Sequence, residues 1–202
     1  MTSHFLAYLS RLKWIGRWGL KRNTSQENVV EHSWEVAVIA HLLATLRNVR
    51  HGGNVDADAV AVAALFHDAS EVLTGDLPSP VKYHSPEITR AYKAIEQQAQ
   101  QELLRQLPAD LQDAYAPLLL DSRLSPDCHE LIKAADILAA LLKCRYEMRA
   151  GNAEFATALA DIAQRAEAMA ARLPEVRAFL DEFEPAFDLT LDELLAPRGG
   201  GR

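Results

Sequence analysis

In the segment FHDASEVLTGDLPSPV, from Phe66 to Val81, the first eight residues carry an imidazole, on His67, and two carboxylates, on Asp68 and Glu71, within an apolar stretch. Glu71 follows His67 by four residues and Asp68 by three, so a helix would present all three side chains on one side. Burying an unpaired carboxylate is costly, and a bound cation is one way to offset that cost. The ordinary alternative is a core histidine bonded to a carbonyl, with Asp68 paired to an arginine.

Two further ionisable residues are predicted to lie on apolar helix faces. His32 is followed by Val36 four residues later and therefore faces the core, whereas His41, nine residues on, points away. Asp136 lies in LIKAADILAALL, flanked by Ile132 and small apolar residues. Taken singly, His32 could be a satisfied core histidine and Asp136 a member of a buried salt bridge.

Taken together, His32, His67, Asp68 and Asp136 form a mixed nitrogen and oxygen ligand set. This set suits one divalent first-row transition metal ion, such as Mn²⁺, Co²⁺, Fe²⁺, Ni²⁺ or Zn²⁺. In octahedral geometry, four protein ligands leave two positions, one for water and one for a substrate oxygen. Such an ion lowers the pKa of bound water towards about 7 and polarises a phosphoryl group.

The elements that must position these residues are helices throughout. The periodicity predicts an all-α fold with one globular domain over residues 1–195, followed by a disordered tail at 196–202. One helix is expected over SHFLAYLSRLKWI with Arg17 at its end, and another begins at the Asn28 cap with Glu31 three residues on. A single helix is expected from about Asp56 to Thr74. Further helices begin at the Ser-Pro pairs 85–86 and 125–126.

Composition limits the classes of partner. The 202 residues carry a net charge of -7, so a nucleic-acid polymer or an anionic membrane is a poor partner. Arg11 and Lys13 interrupt the first apolar stretch, which excludes a signal peptide there, and no apolar run approaches the roughly 20 residues of a membrane span. Cys128 and Cys144 are too far apart on one predicted helix to form a disulfide, which favours reduced thiols and a cytoplasmic location.

Three segments closely resemble the bacterial HD-domain 5'-deoxynucleotidases. They are SRLKWIGRWGLKRNTSQENVVEHSWEVAVIAHLLA, ALFHDASEVLTGDLPSPVKY and IKAADILAALLKC. The similarity continues through AYKAIE to FDLTLDEL and so covers nearly the whole chain. The order H…HD…D is moderately specific for the HD-domain superfamily, and HDASEVLTGDLP is highly specific for this branch. The resemblance implies an α-helical homodimer that removes phosphate from deoxyribonucleoside 5'-monophosphates with a divalent metal ion.

The resemblance also assigns roles to individual residues. It implies four metal ligands, which are His32, His67, Asp68 and Asp136, and His32 and Asp68 are expected to bind the substrate as well. It makes Glu71 the catalytic carboxylate, and Arg17 and Trp18 the pair that orients phosphate and contacts the sugar. It further implies a substrate-binding stretch that in this family often reads DLPT and here comprises Asp76, Leu77, Pro78 and Ser79. Serine in place of threonine keeps the hydroxyl group.

We expect direct in-line attack of a metal-activated water, without a phosphoenzyme. Either Glu71 or Asp76 could protonate the leaving oxygen, and the sequence leaves this choice open. Three alternatives also stay open: a triphosphate or phosphodiester substrate on the same fold, a second metal ion bound with His84 or His129, and a module that binds a metal or a partner without catalysis.

Overall fold

The computed structural model describes residues 2–196, which fold into helices as predicted, joined by turns and by a longer irregular segment at residues 15–28. Among these residues no β-strand forms, and the isolated antiparallel bridge joins Gly16 to Asn28. Of the tail predicted at 196–202, all but Ala196 lies outside the described residues. The domain boundary at residue 195 therefore stays a prediction.

Eleven α-helices and four 3₁₀ turns make up this described part of the chain. The α-helices are α1 (Phe5–Leu9), α2 (Val29–His51), α3 (Ala57–Leu65), α4 (Glu71–Thr74), α5 (Ser79–Lys82), α6 (Pro86–Arg105), α7 (Ala109–Leu119), α8 (Pro126–Arg149), α9 (Ala156–Ala170), α10 (Pro174–Glu182) and α11 (Leu191–Leu195). The 3₁₀ turns are Leu12–Trp14, Asp121–Arg123, Ala153–Phe155 and Glu184–Asp188.

The helix starts follow the predicted caps. The Asn28 side chain accepts hydrogen bonds from the N–H groups of Val30 and Glu31, and the Glu31 carboxylate accepts one from the Asn28 N–H. Ser85 and Ser125 cap α6 and α8, each followed by proline at the first helical position. These caps satisfy N–H groups that a helix start leaves without partners, so local sequence sets where α2, α6 and α8 begin.

Helices α2 and α8 form the centre of the main core. α2 packs against α3, α8 and α10, and α8 also packs against α9. Leu43 on α2, Leu131 and Leu138 on α8, and Phe155 after it are all fully buried. The start of α2 and the middle of α8 therefore stand at fixed positions beside the end of α3. His32, Asp136 and His67 lie at these three places.

Helix α2 is also long and apolar enough, by length and composition, to cross a membrane. The sequence expectation that no segment reaches this threshold is therefore wrong. The apolar window of α2 is 56% buried inside the fold, which is also what the core helix of a globular domain shows.

The prediction of a single helix from Asp56 to Thr74 is wrong, because the structure divides this segment into two helices. Helix α3 ends at Leu65, residues 66–70 form tight turns, and α4 begins at Glu71. Within the turns, the N–H groups of Phe66 and Ala69 donate to carbonyls three residues back, which is tighter than α-helical bonding. The break places His67 and Asp68 on a turn instead of a helix face.

The prediction for the first helix is also wrong at its end. Helix α1 stops at Leu9, and after the 3₁₀ turn the chain becomes extended, with Arg17 N–H donating to the Glu27 carbonyl at 2.9 Å. Val29 N–H likewise donates to the Ile15 carbonyl at 3.0 Å. Arg17 is therefore held by the segment before α2 and not by a helix end.

Candidate metal centre

Three of the four predicted metal ligands form one compact group. One candidate ligand atom from each of His32, His67 and Asp68 lies within 4.8 Å of the other two. Asp136 lies outside this group but contacts it, since its Oδ1 is 3.1 Å from Nε2 of His32. The side chain of His32 is almost fully buried, whereas that of Asp136 is 42% exposed. The site is therefore closed on the histidine side and open on the Asp136 side.

The hydrogen bonding of His67 leaves one ring nitrogen directed at the group. Nδ1 donates to the Ala64 carbonyl at 2.8 Å, which assigns the proton to Nδ1 in the neutral ring. Nε2 is buried and has no hydrogen-bond partner among the described residues, although Oδ2 of Asp68 lies 3.2 Å away. A buried nitrogen lone pair facing carboxylates and a second imidazole fits a divalent transition metal ion.

The charges in the group influence one another strongly. Burial alone would lower the pKa of His67, but the adjacent Asp68 carboxylate raises it to about 9. Burial acts to raise the pKa of Asp68, yet His67 and Arg17 together hold it well below its usual range. At this pKa the metal-free imidazole would hold a second proton, on Nε2, at neutral pH, and a metal ion that binds Nε2 must displace that second proton.

Arg17 is fixed between two carboxylates. Its Nε donates to Oε1 of Glu27 at 2.9 Å, and its Nη1 donates to Oδ2 of Asp68 at 3.1 Å. The Arg17 side chain is 13% exposed. The guanidinium thus lies beside the candidate metal ligands, where a phosphate oxygen bound to a metal would need a cation.

Two more predicted site carboxylates, Glu71 and Asp76, lie at the same end of the molecule. Glu71 is buried, its Oε2 has no hydrogen-bond partner among the described residues, and burial together with the charges of Asp68 and Asp76 raises its pKa to about 9. Burial also raises the pKa of Asp76, against the opposing effect of Arg17. A carboxyl group with a pKa of about 9 is protonated near pH 7, so Glu71 in the metal-free protein is able to donate a proton there.

Trp18 has an unusual backbone. Its φ of 59° is the one positive value at a non-glycine residue within residues 2–196. The indole packs against Phe155 with ring centroids 5.2 Å apart, and its Nε1 donates to Oε2 of Glu27 at 3.3 Å. Positive φ in an aromatic residue is strained and concentrates at functional sites.

The remaining predicted substrate residues, Leu77, Pro78 and Ser79, lead into α5. The carbonyl groups of Pro78 and Ser79 accept the first backbone hydrogen bonds of that helix. Leu77 and Pro78 are half-buried and Ser79 is exposed. Their side chains form no hydrogen bond with the metal-centre group in the described part of the chain, so their role stays a prediction.

Sequence reasoning missed Glu27. Its carboxylate contacts both Arg17 and Trp18 and lies 3.5 Å from Nδ1 of His32. No helical spacing connects Glu27 with these residues, because the contacts depend on the pairing of Gly16 with Asn28. The available sequence signal was the position of Glu27 directly before the Asn28 cap, at the end of the segment that begins with Arg17 and Trp18.

Comparisons with known proteins agree with this geometry. A family model described as 5'-deoxynucleotidase YfbR-like matches residues 4–187. The chain is 51% identical over 192 residues to 5'-deoxynucleotidase YfbR of Escherichia coli O127:H6 strain E2348/69, covering 95% of this chain and 96% of that protein. A protein of the same name from Photorhabdus temperata is 50% identical with equal coverage.

Solved structures show the same fold. An HD-domain phosphohydrolase from Listeria innocua has a TM-score of 0.79 at 26% identity, covering 91% of this chain and 88% of that one. The cyanophage S-2L HD phosphohydrolase DatZ, solved with dA and one catalytic Zn²⁺, has a TM-score of 0.61 at 21% identity, with coverages of 91% and 96%. The all-α HD-domain prediction is confirmed. Since the family model spans residues 4–187 and so includes every residue of the centre, the chain belongs to the YfbR-like 5'-deoxynucleotidase family.

Proposed function

We propose that this protein is a metal-dependent 5'-deoxynucleotidase, which hydrolyses deoxyribonucleoside 5'-monophosphates to deoxyribonucleosides and phosphate. The observation that carries the proposal is the group of His32, His67 and Asp68 with Arg17 bound to Asp68, in a chain of this family. It joins candidate ligands for a divalent ion to a cation suited to phosphate. The relatives named as 5'-deoxynucleotidases support the choice of a deoxyribonucleoside monophosphate as substrate.

We assign one divalent first-row ion, Co²⁺, Mn²⁺ or another of that series, to His32, His67, Asp68 and Asp136. The unpartnered Nε2 of His67 and the mixture of imidazole and carboxylate groups support this assignment. When bound, such an ion lowers the pKa of water and polarises the phosphoryl group.

The protein groups around this position have separate tasks. Arg17, held by two carboxylates, binds the non-bridging phosphate oxygens. Trp18 forms one wall for the sugar, and its fixed ring would reject an added 2'-hydroxyl by contact. Asp76, with Leu77, Pro78 and Ser79, lines the sugar side, where Asp76 is suited to accept a hydrogen bond from the 3'-hydroxyl.

Proton transfer is assigned to buried carboxyl groups. Water attacks phosphorus in line with the departing 5'-oxygen. Glu71, in the ionised form that a nearby divalent cation favours, orients that water and takes its proton. The leaving oxygen then receives a proton from Glu71 or Asp76, both of which have raised pKa values. Burial raises the pKa of the Cys128 and Cys144 thiols, which disfavours the thiolate that a covalent thiol intermediate would need.

We also propose a homodimer, located in the cytoplasm. Val30, Trp34 and Val38 are spaced by four residues along α2 and are 45%, 63% and 51% exposed. Trp34 borders a cavity of about 630 Å³ together with the half-exposed Tyr146 and Phe187. An exposed apolar stripe of this kind is typical of an interface between subunits. The free thiols support the cytoplasmic location.

The dimer is tested by light scattering of the wild type and of Trp34→Glu. We expect a dimer that Trp34→Glu converts to a monomer, because a charge on the stripe would be buried without a partner. Leu6→Glu is the matched control, since Leu6 is 73% exposed on α1. A monomeric wild type at micromolar concentration would contradict the proposal.

The activity is tested by phosphate release from a panel of ribonucleoside and deoxyribonucleoside 5'-monophosphates. The protein is first treated with a chelator and then given Mn²⁺, Co²⁺ or Zn²⁺, with Asp68→Asn in parallel. We expect metal-dependent release from the deoxy substrates that is absent in the variant. Hydrolysis of triphosphates or cyclic dinucleotides alone would show that the enzyme acts on another substrate class. A protein that binds metal but hydrolyses none of these compounds would favour a binding module.

A further inference from the structure

Glu27 contacts more of the proposed machinery than any assigned residue outside the metal ligands, yet no assigned role includes it. We propose that Glu27 is a positioning residue that sets the orientation of Arg17, Trp18 and His32 together. The inference rests on the proposed function for its kinetic consequences. Its consequence for metal affinity does not depend on the substrate.

The carboxylate reaches three side chains from one position. Oε1 accepts a hydrogen bond from Arg17 Nε at 2.9 Å and lies 3.5 Å from His32 Nδ1. Oε2 accepts from Trp18 Nε1 at 3.3 Å. The Glu27 side chain is 13% exposed, so these contacts are largely shielded from water.

The backbone of Glu27 reinforces its side chain. Its carbonyl accepts the Arg17 N–H at 2.9 Å, and the next residue, Asn28, forms the bridge with Gly16. Trp18, the residue after Arg17, has a φ of 59°. The indole ring itself is held by packing against Phe155 and by the hydrogen bond from Nε1 to Glu27, which is its polar contact.

For Arg17, the contact selects which face of the guanidinium remains available. Glu27 engages Nε and Asp68 engages Nη1. Within residues 2–196, no hydrogen bond engages Nη2. Because two carboxylates anchor the guanidinium plane through Nε and Nη1, the Nη2 group remains for a hydrogen bond to a phosphate oxygen.

For His32, the contact selects the ring nitrogen that faces the metal position. Nε2 lies 3.1 Å from Asp136 and 3.7 Å from Asp68, while Nδ1 lies on the Glu27 side. A carboxylate beside Nδ1 favours the proton there and leaves the lone pair on Nε2. Carboxylates in this position orient a ligating histidine and increase its basicity.

The test compares Glu27→Gln with Glu35→Gln, an identical change at a half-buried carboxylate two turns into α2. Burial and the charge of Glu27 raise the pKa of Glu35 to about 7, but Glu35 forms no hydrogen bond or ion pair with Arg17, Trp18 or His32 among the described residues. The control therefore alters a nearby carboxylate without removing the three contacts. Mn²⁺ and Co²⁺ affinities are measured by titration calorimetry on metal-stripped protein. The visible spectrum of the Co²⁺ form reports the ligand geometry. We expect Glu27→Gln to lower metal affinity by about 10- to 100-fold and to alter the Co²⁺ spectrum, while Glu35→Gln leaves both near the wild-type values.

Kinetics on a deoxyribonucleoside monophosphate at saturating metal separate the effect on Arg17 and Trp18 from the effect on metal binding. We expect Glu27→Gln to raise KM, because the phosphate and sugar contacts lose their fixed orientation. The KM of Glu27→Asp should lie between those of Glu27→Gln and the wild type, because aspartate keeps the charge with a shorter reach.

A Glu27→Gln protein that equals Glu35→Gln in metal affinity and KM would overturn the inference. If Glu27→Gln does not fold, a Glu27→Asp protein with unchanged metal affinity and KM overturns it. A wild type that binds metal and releases no phosphate contradicts the proposed function only, and the affinity comparison still decides the role of Glu27.

Discussion

Two buried carboxylates, Glu71 and Glu147, show how this fold separates chemistry from structure. Glu71, at the start of α4, has an oxygen with no hydrogen-bond partner among the described residues and a pKa raised to about 9. Glu147, near the end of α8, is fully buried, and its oxygens accept hydrogen bonds from Thr24, Ser25, Asn152 and Lys143.

The pKa values of the two groups shift in opposite directions for a physical reason. Burial raises the pKa of both. At Glu147 the hydrogen bonds from Asn152, Lys143 and Thr24 outweigh burial and hold the pKa well below its usual range. At Glu71 the neighbouring charges of Asp68 and Asp76 add to the effect of burial. A buried carboxylate that its surroundings satisfy stabilises the fold, whereas one left unsatisfied among like charges is available for reaction.

The largest expected effect is on the rate, at Glu71. Glu71→Gln should lower kcat/KM by about 10²- to 10⁴-fold, because it removes the group that exchanges protons. The free energy of unfolding of the metal-free protein should change by about 1 kcal/mol or less, because glutamine replaces a carboxyl group that is already neutral near pH 7. Steady-state kinetics and urea unfolding provide the two values. A large loss of stability with little loss of rate would reverse the comparison.

The second effect is on stability, at Glu147. Glu147→Gln leaves the buried Lys143 ammonium without its counter-charge, so the free energy of unfolding should fall by about 3–5 kcal/mol. The kcat per folded molecule should stay near that of the wild type. Glu167→Gln is the control, since it breaks an exposed ion pair with Arg177 and should cost about 1 kcal/mol or less. A loss no larger than that of the control would show that the Glu147 contacts contribute little.

The helix starts and the turn at residues 66–70 differ in how far the sequence predicts them. The caps at Asn28, Ser85 and Ser125 are local, so their residue types predict the helix starts correctly. The apolar periodicity places His32 on the buried face of α2, and the structure confirms its burial. The division of the helix at 66–70 was not predictable in this way, because it depends on tight backbone turns and on the bond from the His67 ring to Ala64.

Contacts between distant segments account for the rest of what the sequence did not predict. Glu147 was unassigned because its partners Thr24 and Ser25 lie more than a hundred residues away in the chain. Arg17 was expected at a helix end and instead lies beside Glu27, because residues 15–17 pair with 27–29. Periodicity identifies which side of a helix is buried, and tertiary pairing decides which polar groups then meet.

A third, smaller effect tests whether the two regions are independent. A metal ion at about 100 times its Kd should raise the free energy of unfolding by about 2.7 kcal/mol in the wild type. The same rise is expected in Glu147→Gln if the sites are energetically separate, and none is expected in Asp68→Asn. Urea unfolding with and without Mn²⁺ measures these differences. A reduced rise in Glu147→Gln would mean that the loop shared by Thr24 and Arg17 couples the two regions.

The smallest effect is the pH dependence that the Glu147 contacts impose on stability. The pKa of Glu147 in the folded protein lies below the unfolded value of about 4.3, so the unfolded state binds the proton more readily. The contribution of Glu147 is therefore fully present above that pH and is lost as pH falls towards the folded pKa, by at most about 1.4 kcal/mol per pH unit. Glutamine cannot titrate, so the stability difference between the wild type and Glu147→Gln should be constant from pH 6 to 7 and should narrow below about pH 4. Urea unfolding of both proteins across this range measures the difference. If it stayed constant down to pH 3, the hydrogen bonds would not distinguish the charged from the neutral carboxyl, and the contrast with Glu71 would rest on packing alone.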